Sequence, residues 1–133
     1  MARRPVSIIL SVIFGLLALT ALGQVLLVAL GGSDEPGTLI VLKMGIGLTA
    51  AATAWGSWRR ARWTSGAAIA YGVITASMLA ALPSLLGLPA DARFGIWTGG
   101  AAAMLFALLC AAYFRSDARR QAESISTERA NER

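Results

Sequence analysis

Residues 6–30 read VSIILSVIFGLLALTALGQVLLVAL, a run of 25 residues that holds no charged side chain. An α-helix rises about 1.5 Å per residue and the hydrocarbon core of a bilayer is about 30 Å thick, so roughly 20 apolar residues suffice to cross it. The basic start of the chain and the small residues Ala21 and Gly23 also resemble a secretory signal peptide. The apolar stretch of a signal peptide ends by about 15 residues. Because this run continues to Leu30, it favours an uncleaved transmembrane helix.

Three more apolar segments follow, and the sequence predicts four transmembrane helices at about 6–30, 38–58, 64–87 and 94–114. Only 14% of the residues are charged, against about a quarter in soluble domains. Helices are expected because lipid offers no partner to exposed backbone groups. The three links, GGSDEPG, RRAR and LPADAR, are short, so neighbouring helices should run antiparallel. We therefore predict an all-α membrane protein, in which residues 1–114 form an up-down-up-down four-helix transmembrane domain.

The last segment, residues 115–133, reads RSDARRQAESISTERANER and is polar with mixed charges. It has too few apolar side chains to form a packed core of its own. The sequence therefore predicts a disordered cytoplasmic tail, with a frayed helix as the alternative.

Basic residues are distributed unevenly between the two sides of the predicted bundle. Short cytoplasmic loops of membrane proteins are enriched in lysine and arginine. Ten of the chain's 12 basic residues lie in the amino end, the second link and the tail, namely Arg3, Arg4, Arg59, Arg60, Arg62, Arg115, Arg119, Arg120, Arg129 and Arg133. The first and third links hold only Arg93, beside three carboxylates. Both termini are therefore predicted to be cytoplasmic, and those two links external.

The net charge of +5 is attributed to arginines that face the membrane surface. Anionic lipids give the cytoplasmic leaflet a negative potential that attracts such residues. Trp55, Trp58 and Trp63 bracket the second link, at the depth where indole rings collect. The predicted partners are anionic membrane lipids at the cytoplasmic face, other membrane proteins or a second copy of the chain, and no nucleic acid. The plan of four short helices with both termini inside, and the richness in alanine, arginine, glycine and leucine, favour the cytoplasmic (inner) membrane of a bacterium.

Small residues recur every four positions along the predicted helices. Gly95, Gly99, Ala103 and Ala107 form such a ridge on the fourth helix, and Gly72 belongs to a similar row on the third. Within lipid, close contact between small residues promotes helix association. The rows predict packing between helices of one chain, so that a leucine at position 99 should force helices apart. Packing between chains is the alternative.

One positive charge, Lys43, lies in LIVLKMGIGL (residues 39–48), where every other residue is apolar or glycine. It is about five residues, or roughly 7.5 Å, from the predicted outer end of its helix. An ionisable residue within the membrane indicates a functional site. The alternative is that the long stem carries the ammonium group to the interface, which is called snorkelling.

Polar residues of the other helices and of the third link occur at a depth similar to that of Lys43. We therefore predict a candidate polar pocket in the outer leaflet, formed by Lys43, Gln24, Thr98, Ser84 and Asp91. The counter-ion of Lys43 would be Asp91, Asp34 or Glu35, or an anionic ligand such as a lipid headgroup.

Several residue types that carry chemistry are rare or missing. The chain has no histidine, a single cysteine (Cys110) and no carboxylate within a predicted helix. Histidine is the commonest metal ligand and general base, and carboxylates carry most proton relays in membranes. We therefore predict no catalytic residue, no metal and no cofactor. The leading interpretation is a small non-enzymatic membrane protein, either an accessory subunit or a lipid- or partner-binding module. The alternative is a subunit of an oligomeric small transporter or channel centred on Lys43.

Overall fold

The structure is a computed structural model that describes residues 5–32 and 34–132. This part of the chain forms four α-helices: α1 (Pro5–Ala29), α2 (Gly37–Arg59), α3 (Thr64–Leu86) and α4 (Ala90–Asn131). All four are long and apolar enough to cross a membrane. Among the basic residues that predict the orientation, Arg3, Arg4 and Arg133 lie outside the described residues.

The ends of the helices follow local backbone chemistry. The first three helices begin and end within one residue of the bounds that hydropathy predicts. Pro36 and Pro89 occupy the N-cap positions of α2 and α4, where the absence of an amide N–H removes no helical hydrogen bond. Arg60 and Gly87 follow α2 and α3 with φ angles of 55° and 60°. This left-handed conformation turns the backbone out of the helix.

The fourth helix departs from the sequence prediction at its carboxyl end. α4 continues through Arg115 to Asn131, where the sequence predicts a disordered tail or, as the alternative, a frayed helix. Starting a helix is unfavourable whereas extending one costs little, and the apolar part of α4 supplies the nucleus. Gln121 Nε2 donates a hydrogen bond to Asp117 one turn earlier at 3.0 Å, which supports the extension. Compositional polarity thus predicts solvation of this segment but not its conformation.

Helices that are adjacent in sequence pack against each other: α1 on α2, α2 on α3, and α3 on α4. Two serines join the beginning of α1 to the end of α2. Ser57 Oγ donates to the carbonyl oxygen of Ser7 at 2.9 Å, and Ser11 Oγ donates to that of Ala54 at 2.9 Å. Hydrogen bonds between membrane helices contribute on the order of 1 kcal/mol each. They fix the register of α1 along α2.

The buried core lies where all four helices meet around Phe14 of α1. The Phe14 ring meets the Tyr71 ring edge-on at a centroid distance of 5.2 Å and stacks on Phe106 at 5.9 Å. The remaining buried residues of this cluster have small side chains, namely Ala18, Ala50, Ala68, Cys110 and Ala111. Small residues let the helix backbones approach closely, and one aromatic group fills the space between them.

The interface between α3 and α4 is built on small residues of both helices. A methyl group at Gly72 would overlap the side chain of Ala107. Near the beginning of α4, a Cβ at Gly100 would lie 3.5 Å from Leu79 Cβ and 3.8 Å from Ala76 Cα. Gly100 and Ala107 are buried and lie on the same face of α4, two helical turns apart.

This contact face shares Ala107 with the ridge that the sequence predicts for α4, but it differs from that ridge nearer the beginning of the helix. Gly95 and Gly99 have no neighbouring atom within 4 Å of the position where a Cβ would stand, and Ala103 is only half-buried. A helix turns about 100° per residue, so residues four apart are offset by about 40° and a strict every-fourth row winds around the helix. Residues seven apart are offset by only about 20°. The packed face therefore runs through Gly100 and Ala107, and it leaves Gly99 outside.

Candidate functional site

Lys43 is paired with a carboxylate of the link between α1 and α2. Its Nζ lies 2.7 Å from Glu35 Oε1 and 2.6 Å from Glu35 Oε2, so the ammonium group donates to both oxygens. The side chains are 13% and 27% exposed, respectively, which leaves the pair largely shielded. The stem of Lys43 therefore extends towards the start of α2, as snorkelling predicts, but its ammonium group meets a fixed partner.

The ion pair connects the second turn of α2 to the link that precedes the helix. Charge-assisted hydrogen bonds are about twice as strong as neutral ones, and a bidentate arrangement adds geometric definition. Glu35 thereby neutralises a charge that lipid would otherwise surround, and the link is held over the beginning of α2. A lysine paired in this way needs no ligand to compensate its charge.

The predicted polar pocket has four further members besides Lys43. These are Gln24, Ser84, Thr98 and Asp91, all of which are exposed. Thr98 Oγ1 donates to the carbonyl oxygen of Phe94 in its own helix at 2.8 Å. Within the described part of the chain, the polar contacts of Lys43 are with Glu35. Whether these side chains face one another depends on the rotation of each helix, so the pocket stays a prediction.

A polar cluster that the sequence does not predict lies where the link between α2 and α3 meets α4. Its members line one narrow crevice and come from all four helices and that link: Ser7, Ser57, Arg60, Thr64, Asp117 and Gln121. Ser7, Ser57 and Thr64 are buried. The crevice leaves about 10 Å³ of free space, which is scarcely enough for one water molecule. The cluster therefore packs the link and the extended part of α4 together and offers no room for a ligand.

An open groove runs along the outer side of the pair α1 and α2, and it is called the α1–α2 groove below. It has a volume of about 500 Å³. The residues that line it are mostly small or apolar, and they include Gly15, Ala18, Ala51 and Ala54. Two half-exposed indole rings, those of Trp55 and Trp58, lie at the end nearest the link between α2 and α3.

A positive charge stands beside this end of the groove. The guanidinium carbon of Arg59 lies 4.7 Å from the centroid of the Trp55 ring, within the range of a cation–π contact. Arg59 itself is exposed, so its remaining donors face the surroundings. The groove thus combines an apolar length with a cationic end. The tryptophans and arginines of this region are evident in the sequence, but the groove is not, because it depends on how α1 faces α2.

Neither metal-binding groups nor similarity to known proteins point to a further candidate site. Residues 5–32 and 34–132 contain no group of three histidine, cysteine, aspartate or glutamate side chains placed to hold a metal ion. Cys110 has a free thiol in the buried core. Comparisons with known protein families, curated proteins and solved structures gave no match. Function therefore has to be inferred from the geometry of the chain itself.

Proposed function

We propose that this chain is a small non-enzymatic integral protein of a bacterial cytoplasmic membrane, and that it acts as an accessory subunit or as a binding module for lipids and membrane partners. The observation that carries the proposal is the ion pair of Lys43 and Glu35, with a shortest distance of 2.6 Å. A transporter or channel centred on Lys43 would need this charge to be available along a polar path. Here the charge is compensated within the chain, whereas large apolar side chains cover the outer faces of the helices. Such a surface suits binding better than conduction.

In the proposed topology, the four helices run up-down-up-down and both termini lie in the cytoplasm. Contacts between consecutive helices support the antiparallel arrangement. Ser7 at the beginning of α1 meets Ser57 at the end of α2. Across α3 and α4, Gly72 meets Ala107 whereas the later Leu79 lies beside the earlier Gly100, so the two helices run in opposite directions. The distribution of arginines supports the cytoplasmic placement of the termini and of the second link.

Reporter fusions test this topology. We expect alkaline phosphatase, which is active only outside the cytoplasm, to be inactive when fused after Phe114 or after the end of α4, since both points follow an even number of crossings. A fusion in the first link, after Gly32, should be active. Green fluorescent protein at the same points should give the opposite pattern. An active phosphatase after Phe114 would contradict the proposed orientation.

Mild isolation tests the binding role. We expect the tagged chain, extracted into lipid nanodiscs or a gentle detergent, to retain lipid or a protein partner in a fixed ratio that native mass spectrometry can measure. The matched functional test is ion or solute flux through proteoliposomes that contain the chain alone. Flux that disappears in Lys43→Gln would overturn the proposal and establish the transporter alternative.

A further inference from the structure

We propose that the α1–α2 groove holds one acyl chain of an anionic phospholipid of the cytoplasmic leaflet, and that the lipid phosphate contacts Arg59. This inference rests on the proposed function, since it names the lipid partner of the binding module. It follows from three properties of the groove: its length and depth in the membrane, the space left by small residues, and the charge at one end.

The groove is long enough to hold an acyl chain of one lipid leaflet. On α1 it extends from Ser11 to Leu22, which corresponds to roughly 16 Å at about 1.5 Å per residue. Half of a hydrocarbon core is about 15 Å thick. Trp58 adjoins the arginine-rich second link, and Leu22 lies roughly 25 Å along α1 from its first residue, Pro5. The groove therefore extends past the middle of a core about 30 Å thick, and an acyl chain that enters at the interface would stay within it as far as the bilayer midplane.

The space in the groove depends on the absence of a side chain at Gly15. No neighbouring atom lies within 4 Å of the position that a Cβ would take there. Ala18, Ala51 and Ala54 add little volume. Because glycine disfavours helices by about 1 kcal/mol relative to alanine, a helical glycine that makes no close protein contact is costly. Gly23 has equally open surroundings, but Gly15 lines the groove, where the unfilled volume is suited to a flexible hydrocarbon chain.

The end of the groove beside Arg59 is suited to a negatively charged group. Arg59 is held over the Trp55 ring at 4.7 Å, which orients its planar guanidinium group beside the mouth. Guanidinium groups bind phosphate through two parallel hydrogen bonds. Indole rings favour the headgroup region, where that phosphate would lie. A zwitterionic headgroup carries its own cation close to the phosphate, so a lipid with net negative charge should bind more tightly.

Three variants test the inference by native mass spectrometry of the full chain in a mild detergent, with phosphatidylglycerol and phosphatidylcholine as probes. Gly15→Leu places a side chain in the groove from a Cβ position that no neighbouring atom approaches within 4 Å. Gly23→Leu is its matched control, because Gly23 also faces open space on α1 but does not line the groove. Arg59→Gln removes the charge and keeps the apolar length.

We expect Gly15→Leu to bind phosphatidylglycerol about tenfold more weakly than the wild type, with an unchanged melting temperature. Gly23→Leu should bind like the wild type. Arg59→Gln should retain lipid but lose most of the preference for phosphatidylglycerol over phosphatidylcholine. Equal binding by all four proteins would mean that the lipid is held elsewhere on the surface and would overturn the inference.

A second outcome would identify a different occupant. If the wild type is a dimer and Gly15→Leu makes it monomeric, a second copy of the chain covers the groove, and the lipid assignment is wrong. Either failure leaves the proposed function intact as long as the chain still retains a lipid or protein partner after mild isolation. The proposed function fails separately, if flux through proteoliposomes depends on Lys43.

Discussion

Replacing Gly72 with alanine is expected to lower the stability of the folded protein in detergent by about 2 kcal/mol. The added methyl group would overlap the side chain of Ala107 across the interface of α3 and α4. That obstacle is itself a Cβ atom, which cannot rotate away, so the two helices must separate. Overpacking of this kind typically costs about 1–3 kcal/mol. Thermal unfolding followed by circular dichroism would measure the effect.

Gly99→Ala is the matched control for Gly72→Ala. Position 99 has the same residue type within a transmembrane segment, but it faces open space. Alanine favours the helix by up to about 1 kcal/mol over glycine, so Gly99→Ala should leave stability unchanged or raise it slightly. Gly99→Leu should be tolerated as well. A large loss of stability in the Gly99 variants, with none in Gly72→Ala, would show that α4 packs through the face that carries Gly99.

The difference between Gly99 and Gly100 shows where sequence reasoning stops. The requirement for about 20 apolar residues per crossing is strong enough to place α1, α2 and α3 within one residue. Which face of a helix is packed depends on its rotation, and each residue position changes the direction of the side chain by about 100°. Glycine and alanine occur on several faces of α4, so composition alone does not select one of them.

The same limit applies to the candidate sites. The depth of Lys43 follows from its position in the sequence, and Glu35 was one of three carboxylates within its predicted reach. The choice of Glu35 depends on the path of the link before α2, which apolar periodicity does not describe. The α1–α2 groove also depends on the relative rotation of two helices. Its cationic end was visible as the run RRAR beside tryptophans, but its apolar length was not.

The extended part of α4 illustrates a different limit of prediction from the sequence. Polar composition predicts that residues 115–131 are solvated, and most of them are exposed. Composition does not reveal that they continue an existing helix, whose nucleation cost has already been met by the apolar segment. Asp117 and Gln121 also line the crevice at the link between α2 and α3, so tertiary contacts support the first turns of the extension.

The second large effect is expected at the ion pair, where Glu35→Gln should destabilise the protein by about 2 kcal/mol. The change leaves the ammonium group of Lys43 without a counter-ion at a site where its side chain is 13% exposed. Removing one partner costs about 3–5 kcal/mol in a fully buried pair and about 0–1 kcal/mol in an exposed one. This pair lies between these limits. Asp34→Asn provides the control, because Asp34 is the neighbouring carboxylate and is exposed.

A double-mutant cycle separates the pair from the general effect of each charge. If Lys43 and Glu35 stabilise the protein mainly through each other, Lys43→Gln with Glu35→Gln should be less destabilised than the sum of the single variants by at least about 1 kcal/mol. Removing both charges also removes the unpaired group that makes the single variants costly. Additive effects would contradict the pairing. Lys43 would then act as an interfacial anchor that sets the depth of α2, and the charge would again be available to a ligand.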